Sequence, residues 1–180
     1  MKTVLCYGDS LTWGHDPASR GRHALEDRWP SVLQTALGGG VHVVAEGLNG
    51  RTTAFDDRLA GADRNGARVL PTVLTTHAPI DLIVMMLGAN DMKPWIHGNP
   101  VAATQGMRRL VDIVRGHDYP VEQPAPQILL VAPPAVSQSD DAEYRIMFAG
   151  GDEASKHLAP LYAGLADEAG CGFFDAGSVA

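Results

Sequence analysis

Apolar and polar positions alternate in blocks along the chain, and these blocks predict strands and helices in turn. Short apolar runs predict five strands, at residues 2–7, 41–45, 80–87, 128–132 and 173–174. Apolar residues at helical spacing predict four helices between them, near residues 29–37, 65–74, 99–116 and 158–170. The strict alternation predicts one domain over residues 1–180. We expect a three-layer α/β/α fold with a flavodoxin-like, five-stranded parallel sheet.

Three segments complicate this pattern. Pro71 falls inside the second helical pattern, so that helix either kinks or begins later. Residues 14–28 are polar and charged, which predicts a surface loop. Residues 133–153 are rich in Pro, Asp and Gly and predict a long irregular insertion, a kind of loop that is often functional.

Composition narrows the class of protein. Apolar residues make up 45% of the 180 residues and the net charge is -7, which argues against nucleic acid or an anionic membrane as the main partner. Cys6 and Cys171 lie in apolar runs and are expected to be buried free thiols in strands, which fits a reducing compartment. Without a secretory segment or a membrane-spanning run, we interpret the protein as cytoplasmic. The sequence has no cluster of metal ligands and no dinucleotide fingerprint, so we expect no metal and no cofactor.

The first candidate motif, Tyr7-Gly8-Asp9-Ser10-Leu11-Thr12, directly follows the first strand. A serine at a strand-to-helix turn exposes its hydroxyl near the amides of a helix N-terminus, which can stabilise an oxyanion. The alternative is that Asp9 or Ser10 merely caps the helix. Thr12 stands where the Gly-x-Ser-x-Gly elbow of α/β-hydrolases has glycine.

Two more motifs follow the next two strands. Residues 46–53 read Glu-Gly-Leu-Asn-Gly-Arg-Thr-Thr, where glycine lets a backbone N–H approach a ligand closely. Residues 87–91 read Leu-Gly-Ala-Asn-Asp, where a side-chain amide can donate to developing negative charge. Each motif alone is equally compatible with a plain turn.

Taken together and in order, the three motifs resemble the first three blocks of the SGNH (GDSL-type) hydrolase superfamily. The longer strings at residues 8–14, 46–53 and 86–93 resemble its arylesterase/acyltransferase branch, as do residues 132–134 and 174–179. The similarity therefore runs from about residue 3 to the end of the chain.

The resemblance implies a role for particular residues. Ser10 is the nucleophile, and the amides of Ser10 and Gly50 with the side chain of Asn90 form the oxyanion hole. A candidate acyl or aryl pocket comprises Leu11, Trp13, Lys93, Tyr144 and Phe148. The alternative for the aromatic residues is ordinary core packing, and the alternative for Lys93 is a solvated lysine.

The sequence departs from the family pattern at its end. The superfamily's last block, Asp-x-x-His, supplies the general base and its carboxylate, and it is absent from residues 1–180. We expect that the chain is truncated and lacks the final helix. The other hypothesis is that another histidine substitutes; His15 and His97 lie beyond strand ends, where they could approach the site.

The sequence thus predicts a serine esterase that hydrolyses short-chain aryl or alkyl esters through an acyl-serine intermediate. Acyl transfer to an alcohol or peroxide is expected if the pocket excludes water. The alternatives are a non-catalytic SGNH-like binding module without a base, a carbohydrate acetylesterase or lysophospholipase of the same superfamily, and a flavodoxin-like cofactor or regulatory domain. The expected partner is a small-molecule ester, and the branch resemblance implies a homo-oligomer.

Overall fold

The strands form a single parallel sheet and one small hairpin. The computed structural model describes residues 1–137 and 139–180. Its strands are, in chain order, β1 (Lys2–Gly8), β2 (His15–Asp16), β3 (Gly21–Arg22), β4 (Val41–Gly47), β5 (Leu82–Met86), β6 (Gln127–Ala132) and β7 (Gly172–Asp175). β2 and β3 pair as the antiparallel hairpin. The other five pair in parallel in the order β4-β1-β5-β6-β7, which confirms the predicted five-stranded sheet.

The described residues form seven α-helices, in chain order α1 (Ser10–Trp13), α2 (Trp29–Leu37), α3 (Gly66–His77), α4 (Pro100–Gly116), α5 (Ala142–Met147), α6 (Gly151–Ser155) and α7 (Leu158–Ala169). Four of them, α1, α3, α4 and α5, begin at a residue whose side chain caps them. The side chains of Asn65 and Asn99 accept first-turn N–H groups and so start α3 and α4. α3 runs through Pro71, so it does not begin after the proline. Within the described residues, no helix has both the length and the apolar character needed to cross a bilayer.

Two predictions about irregular segments need correction. The segment 133–153 is more regular than expected because it contains α5 and α6; residue 138 lies outside the described residues. Asp141 caps α5 by accepting two backbone N–H groups. Residues 14–28 are mostly exposed, as expected of a surface loop, but they contain the β2–β3 hairpin and a single 3-10 turn at Leu25–Asp27.

The sheet separates two unequal apolar cores. On one face α3, α4 and α7 pack against fully buried side chains such as Leu5, Tyr7 and Ile83. On the other face, α2 packs against a smaller set formed by Val4, Cys6, Val84, Met86 and Val131. Phe174 of β7 is in register with Val131 and is 45% exposed, so the β7 side of this smaller face is open in the described structure.

The two cysteines differ more than predicted. Cys6 is a fully buried free thiol in β1, as expected, and burial raises its pKa to about 12. Cys171 is also a free thiol, but it is only half-buried and immediately precedes β7 rather than lying in it. Phe173 and Phe174 occupy the two central positions of that short edge strand.

The topology brings three loops to one place. β1 lies between β4 and β5, so the loops that follow these strands start side by side at the carboxyl edge of the sheet. The chain passes from β1 to β4 through α2 on one face. It then returns from β4 to β5 through α3 on the other face. This reversal opens a crevice beyond β1 and β5, the usual location of a ligand site in such sheets.

Gly47 at the end of β4 is required by the close approach of α1. A Cβ at this position would lie 2.2 Å from the backbone nitrogen of Trp13 and 2.6 Å from the carbonyl carbon of Thr12. We therefore expect Gly47→Ala to lower the free energy of unfolding by about 1–3 kcal/mol through overpacking, measured by urea denaturation. Gly39→Ala is the matched control, because nothing lies within 4 Å of its Cβ, and we expect it to change stability by less than about 0.5 kcal/mol. Equal effects of the two substitutions would contradict this account of Gly47.

Candidate active site

Ser10 is the first residue of a one-turn helix at the end of β1. The carboxylate of Asp9 starts this helix, because its Oδ1 accepts the Leu11 amide at 3.0 Å. Gly14, with a φ of 89°, ends the helix four residues later. Ser10 is partly exposed, and within the described residues its hydroxyl makes no hydrogen bond. The turn thus presents the hydroxyl at the mouth of the crevice beyond β1.

Two backbone N–H groups in the loops after β1 and β4 also lack acceptors among the described residues. Among the described residues, neither the amide of Ser10 nor that of Gly50 donates a hydrogen bond. The Ser10 amide belongs to the unpaired first turn of α1. Gly50 is buried with a φ of 81°, and a Cβ there would lie within 3 Å of the Arg64 side chain. Buried N–H groups without partners are rare in folded proteins, so these two are candidate donors to a ligand.

Asn90 links all three loops of the crevice. It opens a short 3-10 turn after β5, and its side-chain Nδ2 donates to Asp9 Oδ2 and to the carbonyl of Arg51, each at 3.2 Å. These contacts bring residues 9, 51 and 90 together from the loops after β1, β4 and β5. Both distances are at the long end of the normal range, so the amide is held loosely by its two acceptors.

Arg51 is a buried cation that ties β1 to β4. Its Nη1 donates to the carbonyl of Gly8 at 2.9 Å and to the carbonyl of Glu46. Its guanidinium carbon lies 4.2 Å from the centroid of the Tyr7 ring, a favourable cation–π geometry. These two hydrogen bonds reach the ends of both strands. Arg51 therefore fixes the start of the loop that carries Gly50.

Asp91 braces its turn through the neighbouring loop. Its buried carboxylate accepts the Thr53 amide at 3.0 Å and the Thr53 hydroxyl at 2.5 Å. Nε2 of His97 lies 3.5 Å from Asp91 Oδ1, and the His97 ring packs edge-on against Phe55. The loops after β4 and β5 are thereby held together on the side away from β1.

The histidines closest to the strand ends make other contacts. His97 approaches Asp91, its Nδ1 accepts the Asn99 amide at 3.1 Å, and Nε2 of His77 lies 2.8 Å from Glu46 Oε1. His15 is exposed at the start of β2. Among the described residues, no histidine forms a hydrogen bond with Ser10, so the base is not identified by these contacts.

The five predicted pocket residues fall into two groups. Lys93, Tyr144 and Phe148 lie together: the two rings are 4.9 Å apart, and Nζ of Lys93 is 5.5 Å from the Phe148 ring. Leu11 and Trp13 are on α1, where Leu11 is 43% exposed and the guanidinium of Arg22 covers the Trp13 ring at 4.5 Å. Among the described residues, none of the ring or cation–π contacts joins the two groups.

Sequence analysis missed three residues beside the crevice. Arg64 packs on Gly50 and pairs with Asp57 at 3.3 Å, and the side chain of Asp57 is only 4% exposed. The Trp95 ring lies 5.7 Å from Nζ of Lys93. The sequence signal for Trp95 was its position two residues after Lys93, which was already a predicted pocket residue. Nothing in the polar segment 56–64 distinguishes Asp57 and Arg64 from solvated loop residues.

Burial makes Asp9 an unusual carboxyl group. Desolvation raises its pKa from 3.8 to about 6, although the hydrogen bond from the Leu11 amide acts in the opposite direction. The negative charge of Asp91 raises this pKa further, while Lys93 and Arg51 lower it. The carboxylate that holds Asn90 is therefore ionised at a cost in free energy.

A serine hydroxyl and unpaired amides at such a crevice suit one reaction class above others, since acyl transfer passes through a tetrahedral oxyanion that these donors stabilise. Fold and site thus define an ester hydrolase of the α/β/α type. The chain belongs to the GDSL-like Lipase/Acylhydrolase family, whose model matches residues 6–180. This confirms the predicted superfamily and the predicted class, a carboxylic ester hydrolase.

Solved structures of esterases resemble the protein over almost its whole length. A carbohydrate acetylesterase family member from Sinorhizobium meliloti is 66% identical with a TM-score of 0.97, and the match covers 99% of this chain and 84% of that one. The aryl esterase of M. smegmatis is 40% identical with a TM-score of 0.91, covering 99% and 85%. Est24, a carbohydrate acetylesterase from Sinorhizobium meliloti, is 41% identical with a TM-score of 0.90, also covering 99% and 85%. No protein of curated function matches the chain significantly.

The raised pKa of Asp9 predicts a specific pH dependence of stability. A carboxyl group with a raised pKa stabilises the fold below its unfolded pKa, and this contribution is lost as the pH rises through about 6. Asp9→Asn keeps a capping oxygen but does not ionise. We expect the stability of the wild type relative to this variant to fall by about 2 kcal/mol between pH 4 and pH 7.5, at about 1.4 kcal/mol per pKa unit. Urea unfolding at both pH values measures the difference.

Asp16→Asn is the control for this experiment. Asp16 is an exposed carboxyl group whose pKa is lowered by the Ser19 hydroxyl, so its stabilisation is present at neutral pH and lost on acidification. As the pH rises, the stability of the wild type should therefore fall relative to Asp9→Asn and rise relative to Asp16→Asn. Parallel pH profiles for Asp9→Asn and the wild type would show that Asp9 ionises as easily in the fold as in the unfolded chain.

Proposed function

We propose that Ser10 attacks the carbonyl carbon of a short-chain acyl ester and forms an acyl-serine intermediate that water then hydrolyses. The amides of Ser10 and Gly50 and the side chain of Asn90 donate to the oxyanion. One observation carries this proposal: an unpaired serine hydroxyl and two unpaired N–H groups stand where the topology opens a crevice. Preorganised donors lower the barrier because they need no rearrangement as charge develops.

Asn90 must give up part of an existing contact to act as a donor. Its two N–H groups are directed at Asp9 and Arg51, and each contact is 3.2 Å long. A developing oxyanion is a stronger acceptor than a neutral carbonyl. Catalytic hydrogen bonds are commonly long before substrate binds and shorten in the transition state. We therefore propose that an Asn90 N–H group is shared between its present acceptor and the substrate oxygen. Its hydrogen bond to the substrate oxygen strengthens as negative charge develops there during attack.

The general base is a histidine outside residues 1–180 in this proposal. Residues 1–180 contain no Asp-x-x-His, and among the described residues no histidine forms a hydrogen bond with Ser10. His77 contacts Glu46 and His97 accepts the Asn99 amide instead. The matched esterases are longer, since the chain covers 84–85% of their length. The open β7 side of the smaller sheet face, next to Phe174, is where a further helix would pack.

The substrate in this proposal is an ester with a small acyl group, above all acetyl. Similarity to one aryl esterase and two carbohydrate acetylesterases favours acetyl esters of phenols or sugars. The paired rings of Tyr144 and Phe148 supply the apolar surface for either. Acyl transfer to an alcohol or peroxide, assembly into a homo-oligomer and a cytoplasmic location stay predictions.

A non-catalytic binding module is the second candidate. It is favoured by the lack, among the described residues, of any histidine bonded to Ser10. Such a module would retain an ester at the crevice without reacting, so covalent chemistry at Ser10 separates the two candidates.

Ser10→Ala tests the nucleophile directly. In a chain that includes the proposed histidine, we expect a serine-directed fluorophosphonate to label the peptide that contains Ser10, and Ser10→Ala to abolish both this label and the hydrolysis of p-nitrophenyl acetate. Peptide mapping by mass spectrometry locates the label. Ser31→Ala, on α2 away from the crevice, is the matched control and should be labelled like the wild type. A label that persists in Ser10→Ala, or that maps elsewhere, would reject Ser10.

Asn90→Ala tests the oxyanion hole. Loss of one donor should lower kcat, or the rate constant of phosphonate labelling, by about two to three orders of magnitude. The control is Asn99→Ala, which removes the cap of α4 and should cost about 1 kcal/mol of stability without changing the rate. If both variants react at the wild-type rate while circular dichroism shows an intact fold, Asn90 is not an oxyanion donor.

A further inference from the structure

Lys93 is a buried lysine whose ammonium group has no hydrogen-bond or ion-pair partner among the described residues. The residue is only 6% exposed, yet in the described part of the chain its Nζ makes no hydrogen bond and no ion pair. The nitrogen atom itself is not sealed from solvent. Burying an ammonium group without an acceptor costs free energy, so most buried lysines are paired. This one is placed for an acceptor that comes from outside the chain.

Aromatic rings hold the ammonium group without using its donors. Nζ lies 5.7 Å from the centroid of Trp95 and 5.5 Å from that of Phe148. Tyr144 packs against Phe148 with ring centroids 4.9 Å apart. Attraction between a cation and a ring is electrostatic and consumes no N–H group. The three N–H donors of Lys93 therefore remain available to a ligand.

The neighbouring carboxylates are committed to other groups. Asp57 pairs with Arg64 at 3.3 Å, while Asp9 and Asp91 are occupied by Asn90 and Thr53 as described above. Burial lowers the pKa of Lys93, and the charge of Asp57 partly offsets this effect. Lys93 thus contributes a positive charge that no carboxylate in the described residues neutralises by direct contact.

Lys93 also adjoins the proposed oxyanion hole. Its backbone amide donates to the carbonyl of Asn90 at 3.2 Å, so it lies one turn from that residue. On the other side of the crevice, the cation Arg64 packs against Gly50. Lys93 therefore belongs to the same short turn as Asn90, one of the proposed donors to the ester.

We infer that Lys93 is a substrate-binding residue that selects esters carrying a carboxylate beside the scissile bond. The inference rests on the proposed function for the location of the ester. A carboxylate suits this site because charge-assisted hydrogen bonds are about twice as strong as neutral ones. The aromatic rings and the partial burial reduce the screening of this charge pair by solvent. Lys93 takes no part in the covalent steps.

Equilibrium binding to the Ser10→Ala variant tests this inference without any reaction. The probes are 3- and 4-acetoxybenzoate and the corresponding acetoxybenzamides, which share the ester and the ring but differ in charge. Isothermal titration calorimetry at low ionic strength should show at least one carboxylate binding about tenfold to a hundredfold more tightly than its amide. Adding Lys93→Met should reduce this ratio to about one while changing amide binding little.

Lys156→Met and fluorophosphonate labelling are the two controls for this binding experiment. Lys156→Met in the same background removes an exposed lysine that pairs with Glu153 and should leave the ratio unchanged. Equal binding of acid and amide for both isomers would overturn the inference even if Lys93→Met failed to fold, and so would an equal loss of selectivity in the Lys156 variant. Fluorophosphonate labelling is run in parallel on a chain with Ser10 intact that includes the proposed histidine. Selectivity that depends on Lys93 without a label on Ser10 would overturn the proposed function and support the lysine subsite.

Discussion

The buried guanidinium of Arg51 is the interaction on which the site depends. It donates to the carbonyls that end β1 and β4, and its own carbonyl receives the Asn90 amide from the loop after β5. One residue therefore connects the ends of three adjacent strands. The stacked ring of Tyr7 beneath it donates its hydroxyl to the carbonyl of Gly66, which links the same point to α3. Loops are the most mobile part of most folds, and here one cation restrains them.

Buried polar groups around this cation fix the conformation of the loops at the crevice, and their desolvation costs stability. Asp9, Asp91 and Thr53 are almost fully buried, and each is hydrogen-bonded. Such networks specify a single geometry when every member is satisfied. Pairing is incomplete in the described residues, since buried atoms such as Arg51 Nε and Thr12 Oγ1 have no hydrogen-bond partner. The Ser10 hydroxyl and the amides of Ser10 and Gly50 are likewise unpaired, and in our proposal a substrate pairs with them.

The sequence was sufficient to predict the sheet and the three loops that meet at its edge. Strand patterns such as residues 80–87 are long apolar runs, and capping residues such as Asn65 and Asn99 have a local physical meaning. The rest depends on contacts between segments far apart in the chain. Arg51 reaches the end of β1, 43 residues away in sequence, and no local pattern distinguishes it from a loop arginine. The pairing of Asp57 with Arg64, seven residues apart, and the short helices α5 and α6 are local features. They were missed because they lie in polar or Pro- and Gly-rich segments, which predict loops.

The edge strand β7 has a practical consequence for handling residues 1–180. Its outer side offers unpaired backbone groups, and Phe173 and Phe174 are 37% and 45% exposed. A hydrophobic edge of this kind is a template on which other chains can add strands. Only four residues long, β7 limits how far such pairing can extend. Aggregation in concentrated samples is therefore expected to start at this edge, and a charged side chain introduced there would act as a gatekeeper.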